Sequence, residues 1–326
     1  MSGRGRPPTH SEVRARRPLA TRGRRLVRAA LLFPILVSSP TVHAETQTWV
    51  PPQGHGTMSI GYQDLYISTH TLSDGTYKHP GNINNHSVFL DLDYGLTDRL
   101  ALHLTLPYKS NRFVGPKPHV PGHVDGGHGE QFVDDGQYHA GWQDWNIGLR
   151  YQWRDRPWSV TPFVSFGYPS HDYTTFGHAA LGTRQWQLQL GLNVGRRLDP
   201  PFQNFYFQAG YAYSILEKVE HRRVNHSTLN LEAGYFLSPQ LSISMLITMQ
   251  KTHNGFDFPE DYPNNHDEHF FHHDENLRND FINRGTGVTY LINDHFAVYS
   301  SYGRSMWGEN AHLIDHAITV GVSRSF

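Results

Sequence analysis

"DYGLTDRLALHLTLPY", residues 93–108, is the stretch whose reading decides the fold. Leucine takes every second position over Leu100, Leu102, Leu104 and Leu106, with Ala101, His103, Thr105 and Pro107 between them. A period of two means an extended strand whose successive side chains point to opposite faces, here one apolar and one mixed. A tight turn, Gly95-Leu96-Thr97-Asp98, precedes the run, and a long polar stretch follows it. The same alternation returns along the chain. Trp186, Leu188, Leu190, Leu192 and Val194 alternate with Gln185, Gln187, Gln189, Gly191 and Asn193; Leu241, Ile243, Met245, Ile247 and Met249 alternate with Ser242, Ser244 and Thr248.

A soluble sandwich also alternates, so three further features select the architecture. The alternating segments run to about 10–14 residues, as tilted membrane strands require, against about 5–6 for an ordinary soluble strand. The connections alternate in length: short ones at 95–98, 153–157, 198–203, 238–240 and 292–294, longer ones at 71–86, 113–139, 171–183, 217–226, 251–279 and 308–312. Aromatic residues such as Tyr94, Tyr108, Trp145, Trp153, Trp158, Tyr168 and Tyr211 gather at the ends of the apolar faces, where amphipathic rings meet the water–lipid boundary.

The pattern predicts an all-β, antiparallel, up-and-down transmembrane barrel of about twelve strands. They fall at 57–70, 87–94, 99–112, 141–152, 158–170, 184–197, 204–216, 227–237, 241–250, 280–291, 295–307 and 313–326. Closure is required because lipid cannot satisfy an open strand edge. A register change near Asp64 predicts a bulge in the first strand. The leucine face of 100–106 is expected to meet lipid and the other face the lumen. In the last strand Ile318, Val320, Val322 and Phe326 share a face, and this terminal aromatic resembles the signal read by the barrel-assembly machinery.

Residues 1–44 read as a cleaved secretory leader of Sec type, and 45–326 as the barrel. Nine arginines precede the apolar run "AALLFPILV" and the small residue Ala44. That run is too short to cross a membrane as a helix. Without the leader, 19 basic residues face 28 acidic ones, a formal net charge of −9. So acidic a chain excludes a nucleic-acid partner. The absence of cysteine excludes disulfides and thiolate chemistry. These features predict the outer membrane of a Gram-negative bacterium, with its lipids as surroundings.

Three stretches carry a family resemblance: "LDLDYGLTDRLALHLTLPY" (90–108), "GWQDWNIGLRYQW" (141–153) and "VTPFVSFGYPSH" (160–171). They resemble the meta-pathway phenol-degradation family of outer-membrane proteins. The shared features are a Gly-Leu-Thr-Asp-Arg turn (Gly95–Arg99), a Leu-Pro-Tyr strand end (Leu106–Tyr108) and an aspartate-bearing stretch from Asp144 to Tyr151. The family's usual Gly-Asp is Gln143-Asp144 here. The resemblance implies a porin-like transporter and hints at aromatic solutes.

The strand period places Asp91, Asp93, His103, Arg150, Gln187, Gln189 and Glu232 on the lumen face, together with Lys109, Gln152, Asn193, Gln208 and Asn230, and Arg284 is counted with the same set. Such groups either pair as filling or set the charge of a constriction. Histidine is abundant, 23 in all, and concentrated in the longer connections. His119, His123 and His128 lie among Asp125 and Glu130; His266, His269, His272 and His273 lie among Asp267, Glu268, Asp274 and Glu275. Imidazole beside carboxylate suits zinc or copper, weakly held; the alternative is a solvated loop that gains charge on acidification. No resident cofactor is expected. The function implied is a passive channel for small polar or aromatic solutes. The alternative is an outer-membrane hydrolase using serines and histidines of "NHSTLN" (225–230) or of 301–315, or a structural surface barrel.

Overall fold

The computed structural model describes residues 47–115, 133–198, 202, 204–257 and 273–326. Its strands are β1 (Gly56–Thr71), β2 (Tyr77–Lys78), β3 (Asn82–Gly95), β4 (Leu100–Val114), β5 (His139–Trp142), β6 (Trp145–Tyr151), β7 (Ser159–Tyr168), β8 (Gln187–Arg197), β9 (Phe205–Leu216), β10 (Asn225–Phe236), β11 (Leu241–His253), β12 (Asp280–Leu291), β13 (Phe296–Glu309) and β14 (His312–Ser325). One short helix, α1 (His273–Asn276), precedes β12. Each strand pairs antiparallel with its neighbour, and β14 pairs with β1, so the sheet closes. β2 only extends the β1 hairpin, and β5 and β6 share one place beside β4. The barrel therefore has twelve staves.

The interruption between β5 and β6 has a chemical cause. Thr105 faces Asn146 and Tyr108 faces Trp142, so two residues of β4 oppose three of the partner. Pro107 lies in that gap and has no N–H to give the ladder; its carbonyl still accepts from Gln143 N at 2.9 Å. The first strand is bulged as expected, but beyond Tyr66 rather than at Asp64. The connection expected at 308–312 shrinks to two residues because β13 and β14 run on past it. β3 likewise begins at Asn82, well before the expected 87.

Short turns close one end of the barrel, with a side-chain oxygen organising several of them. Thr97 Oγ1 accepts from Leu100 N at 2.9 Å, Ser238 Oγ from Leu241 N at 3.1 Å, and Asn293 Oδ1 from Phe296 N at 2.9 Å. These substitute for backbone partners that a tight reversal cannot supply.

The distribution of polarity is the reverse of a soluble protein. Ile60, Leu90, Leu149, Leu192, Met245 and Val320 are exposed on the outward face, while Thr57, Asn85, Thr161, Asn193, Ser244 and Thr319 are buried inside. In the quoted strand, Leu102, Leu104 and Leu106 point outward and Ala101, His103 and Thr105 inward. Several inward glycines sit directly across from an aromatic residue: Gly61 from Phe89 and Gly234 from Tyr206. A Cβ on Gly61 would meet Phe89 at 2.0 Å, and one on Gly234 would meet Tyr206 at 2.2 Å. The rings lie flat over these glycines, filling the lumen without splaying the strands.

Candidate functional site

The lumen is built from the inward residues of every stave. Its turn-end half is a packed polar network. Arg150 pairs with Asp93, their side chains 3% and 5% exposed. Asp91 Oδ1 accepts from Thr105 Oγ1 at 2.7 Å, and Thr105 lies 2.8 Å from His103 Nε2. Glu232 accepts from Tyr206 OH at 2.5 Å and from Gln208 Nε2 at 2.6 Å. Nearer the loop end, Gln189 accepts from Ser165 Oγ at 3.4 Å and donates to Ser214 Oγ at 3.2 Å. Gln187 is buried one step nearer the loop end. These residues face inward, and most are held by neighbouring inward side chains such as Thr105, Tyr206 and Ser214. Arg284 does not: it is exposed on the outward face, opposite Arg304 and Ile247. It lies four residues from the loop end of β12, where a long cationic side chain can reach beyond the apolar belt.

The segment Gln47–Val50 enters this half from the turn end. Thr48 is fully buried, and its carbonyl accepts from Ser159 Oγ at 2.9 Å and Thr161 Oγ1 at 2.5 Å. The Gln47 carbonyl accepts from Arg150 at 2.9 Å and Asn193 at 3.2 Å. Gly195 makes room, since a Cβ there would meet Thr48 Oγ1 at 2.8 Å. The polar lumen therefore holds a length of irregular backbone at its turn end by giving it the donors a sheet partner would give.

The loop-end half is shaped by the β7–β8 connection, residues 169–186, which folds inward. Lys109 Nζ donates to the Leu181 carbonyl at 3.1 Å, and Asn111 donates to that of Ala180. Tyr173 OH donates to Asp144 Oδ1 at 2.5 Å. Burial, and then the Asp144 carboxylate, push the Tyr173 phenol well above its ordinary range, so it remains a donor. Between this connection and the polar half lies a cavity of about 200 Å3. Leu65, Ile67, Ile83, Phe89 and Ile314 line one part of it, and Lys109, Asn111, Gln143 and Asn146 another.

The histidines of the two clusters divide. His119, His123, His128, His266, His269 and His272 lie outside the described residues, and His273 opens α1. Leader residues 1–44 lie outside them too. Three other histidines come together inside the barrel mouth: His70, His178 and His312. His178 falls in the connection expected at 171–183, and the sequence singles out none of the three. Their spacing carries no local motif, and only the pairing of β1 with β14 reveals that His70 faces His312.

An outer membrane channel from Pseudomonas putida F1, known from its crystal structure, superposes with a TM-score of 0.65 at 14% identity, over 86% of this chain and 98% of that one. The chain has the fold of an outer-membrane β-barrel. The translocator domain of the autotransporter NalP from Neisseria meningitidis also resembles this barrel, with a TM-score of 0.51, 12% identity and coverage of 85% and 90%. No family model matches the sequence, and no curated protein does. The likeness to the phenol-degradation family rests on the three quoted stretches.

Proposed function

We propose that the protein is a Gram-negative outer-membrane channel for passive passage of small solutes of mixed polarity, single-ring aromatic molecules among them. The lumen cavity carries this reading. An apolar cavity of about 150 Å3 is enough to take up benzene, and this one, at about 200 Å3, adds amide and ammonium groups along one wall. The outward apolar face supports an address among outer-membrane lipids, reached by Sec export and the barrel-assembly machinery, with the longer loops outside. Passage requires Gln47–Val50 and the 169–186 connection to yield. Liposome swelling tests the proposal: phenol-sized solutes should enter proteoliposomes several-fold faster than empty vesicles, and equal rates would refute it. Single-channel recording should show small, discrete conductance steps.

One observation favours the second reading, a hydrolase. Ser227 Oγ lies 2.9 Å from His253 Nε2 on the outward face near the loop end. A serine and a histidine at this distance have the geometry of a nucleophile and its base. Tyr211 OH also contacts the serine, at 3.0 Å. Release of fatty acid from phospholipid by the purified protein, abolished in Ser227→Ala, would establish that activity.

A further inference from the structure

We propose that His70, His178 and His312 form a binding site for one divalent transition-metal ion of the zinc or copper type, on the wall of the lumen at its loop end. The ligand atoms of the three imidazoles all lie within 4.8 Å of one another. Metal–nitrogen bonds of about 2.0–2.1 Å put two ligand nitrogens of a tetrahedral site about 3.3 Å apart. The constellation therefore closes on an ion by drawing in about 1.5 Å at most. His312, half-buried, is the ligand with room to move.

The surroundings hold the other two rings in place. His178 Nδ1 lies 3.1 Å from Asp134 Oδ2, with the two side chains 1% and 0% exposed. Donation from Nδ1–H to that carboxylate fixes the tautomer and leaves Nε2 as the ligand. A carboxylate behind a histidine is the usual outer shell of a metal site. Asp134 is itself fixed by Ala179 N at 2.9 Å. Phe113 stacks on His178 at 4.6 Å and sets the ring plane. His70 is buried and directly across the β1–β14 pairing from His312, their ring centroids 3.7 Å apart.

The donor set selects the ion. Three neutral imidazoles suit zinc, copper or nickel and disfavour magnesium or calcium, which take oxygen ligands. His178 and His312 also line the cavity, so a fourth position faces the lumen. The ion would join the inward connection to the closing strands of the barrel, three segments far apart in the chain. The site is distinct from the clusters at 119–128 and 266–273.

Zinc chloride titrated by calorimetry into the full-length folded protein in detergent micelles tests the proposal. Folding of each variant is checked by heat-modifiable migration. Wild type should bind a tightest equivalent. That equivalent should persist when His119, His123, His128, His266, His269, His272 and His273 are all changed to alanine. It should be lost in His178→Ala and in His312→Ala. Asp134→Asn should weaken it by about 10–100-fold. Where His178→Ala fails to fold, the half-buried His312→Ala decides. Copper(II), which binds nitrogen ligands more tightly than zinc, should at spectroscopic concentrations show a nitrogen hyperfine pattern of three imidazoles in wild type and of two, more weakly held, in His312→Ala. Absence of a stoichiometric site in wild type, or an equivalent insensitive to His312→Ala and His178→Ala, would overturn it.

Discussion

At the scale of single residues, neighbours in one strand have opposite environments. Leu104 faces outward, while Thr105 is buried in the lumen and hydrogen-bonded to Asp91. A cation on the lipid face near the midplane costs about 2–4 kcal/mol. Leu104→Arg should therefore lower the yield of the heat-modifiable folded band, whereas Thr105→Arg should assemble and shift ion selectivity toward anions. Equal assembly of the two would reverse the inside–outside assignment. The buried Arg150–Asp93 pair makes a different test. Arg150→Met removes the arginine and leaves a carboxylate in a desolvated lumen, at a cost of about 3–5 kcal/mol. Adding Asp93→Leu should recover much of that loss in urea unfolding of the folded barrel. A simple sum of the two single effects would show that the pair is not coupled.

At the scale of elements, the regular staves were legible because period two survives along each of them, and a buried polar face cannot slip by one residue without turning toward lipid. The β5–β6 interruption was harder to read: Pro107 was visible, but which neighbouring strand would lose its donor depended on pairing. Arg284 shares the parity of the outward Val288 and Tyr290, so period two followed back along β12 turns it toward lipid, against the expectation. The inward course of residues 169–186 left no periodic trace, since much of its hold on the lumen is by carbonyls, at Ala180 and Leu181, which every residue possesses. The same holds for Gln47–Val50. Gly195→Val should expel Thr48 from its seat and raise single-channel conductance at least several-fold, with the barrel still folded. Unchanged conductance would mean that this segment does not limit passage.

At the scale of the whole molecule, lumen filling and wall are one structure. Gly234 and Tyr206 face each other across β9 and β10, and Tyr206 also holds Glu232. Gly234→Val should displace the ring, release the carboxylate from its phenol and lower the urea midpoint, while Ala233→Val, on the exposed outward face, should not. A comparable loss in both variants would remove the glycine–aromatic contact from the account.

The closing strands carry a consequence for how the molecule is made. Every other pairing joins neighbours in the chain, but β1 with β14 joins its two extremes; Thr71 and Ala311, bonded there, stand 240 residues apart. Contacts of such separation demand the largest loss of chain entropy and are met late. Until that meeting, two strand edges stand open in a solvent that offers them no hydrogen bonds. Assembly is therefore all or nothing at its final step: eleven good hairpin pairings do not make eleven-twelfths of a barrel. Kinetic lability should concentrate at this one junction, and a ligand bound beside it, at His70 and His312, would act as a latch on the slowest event in the molecule's life.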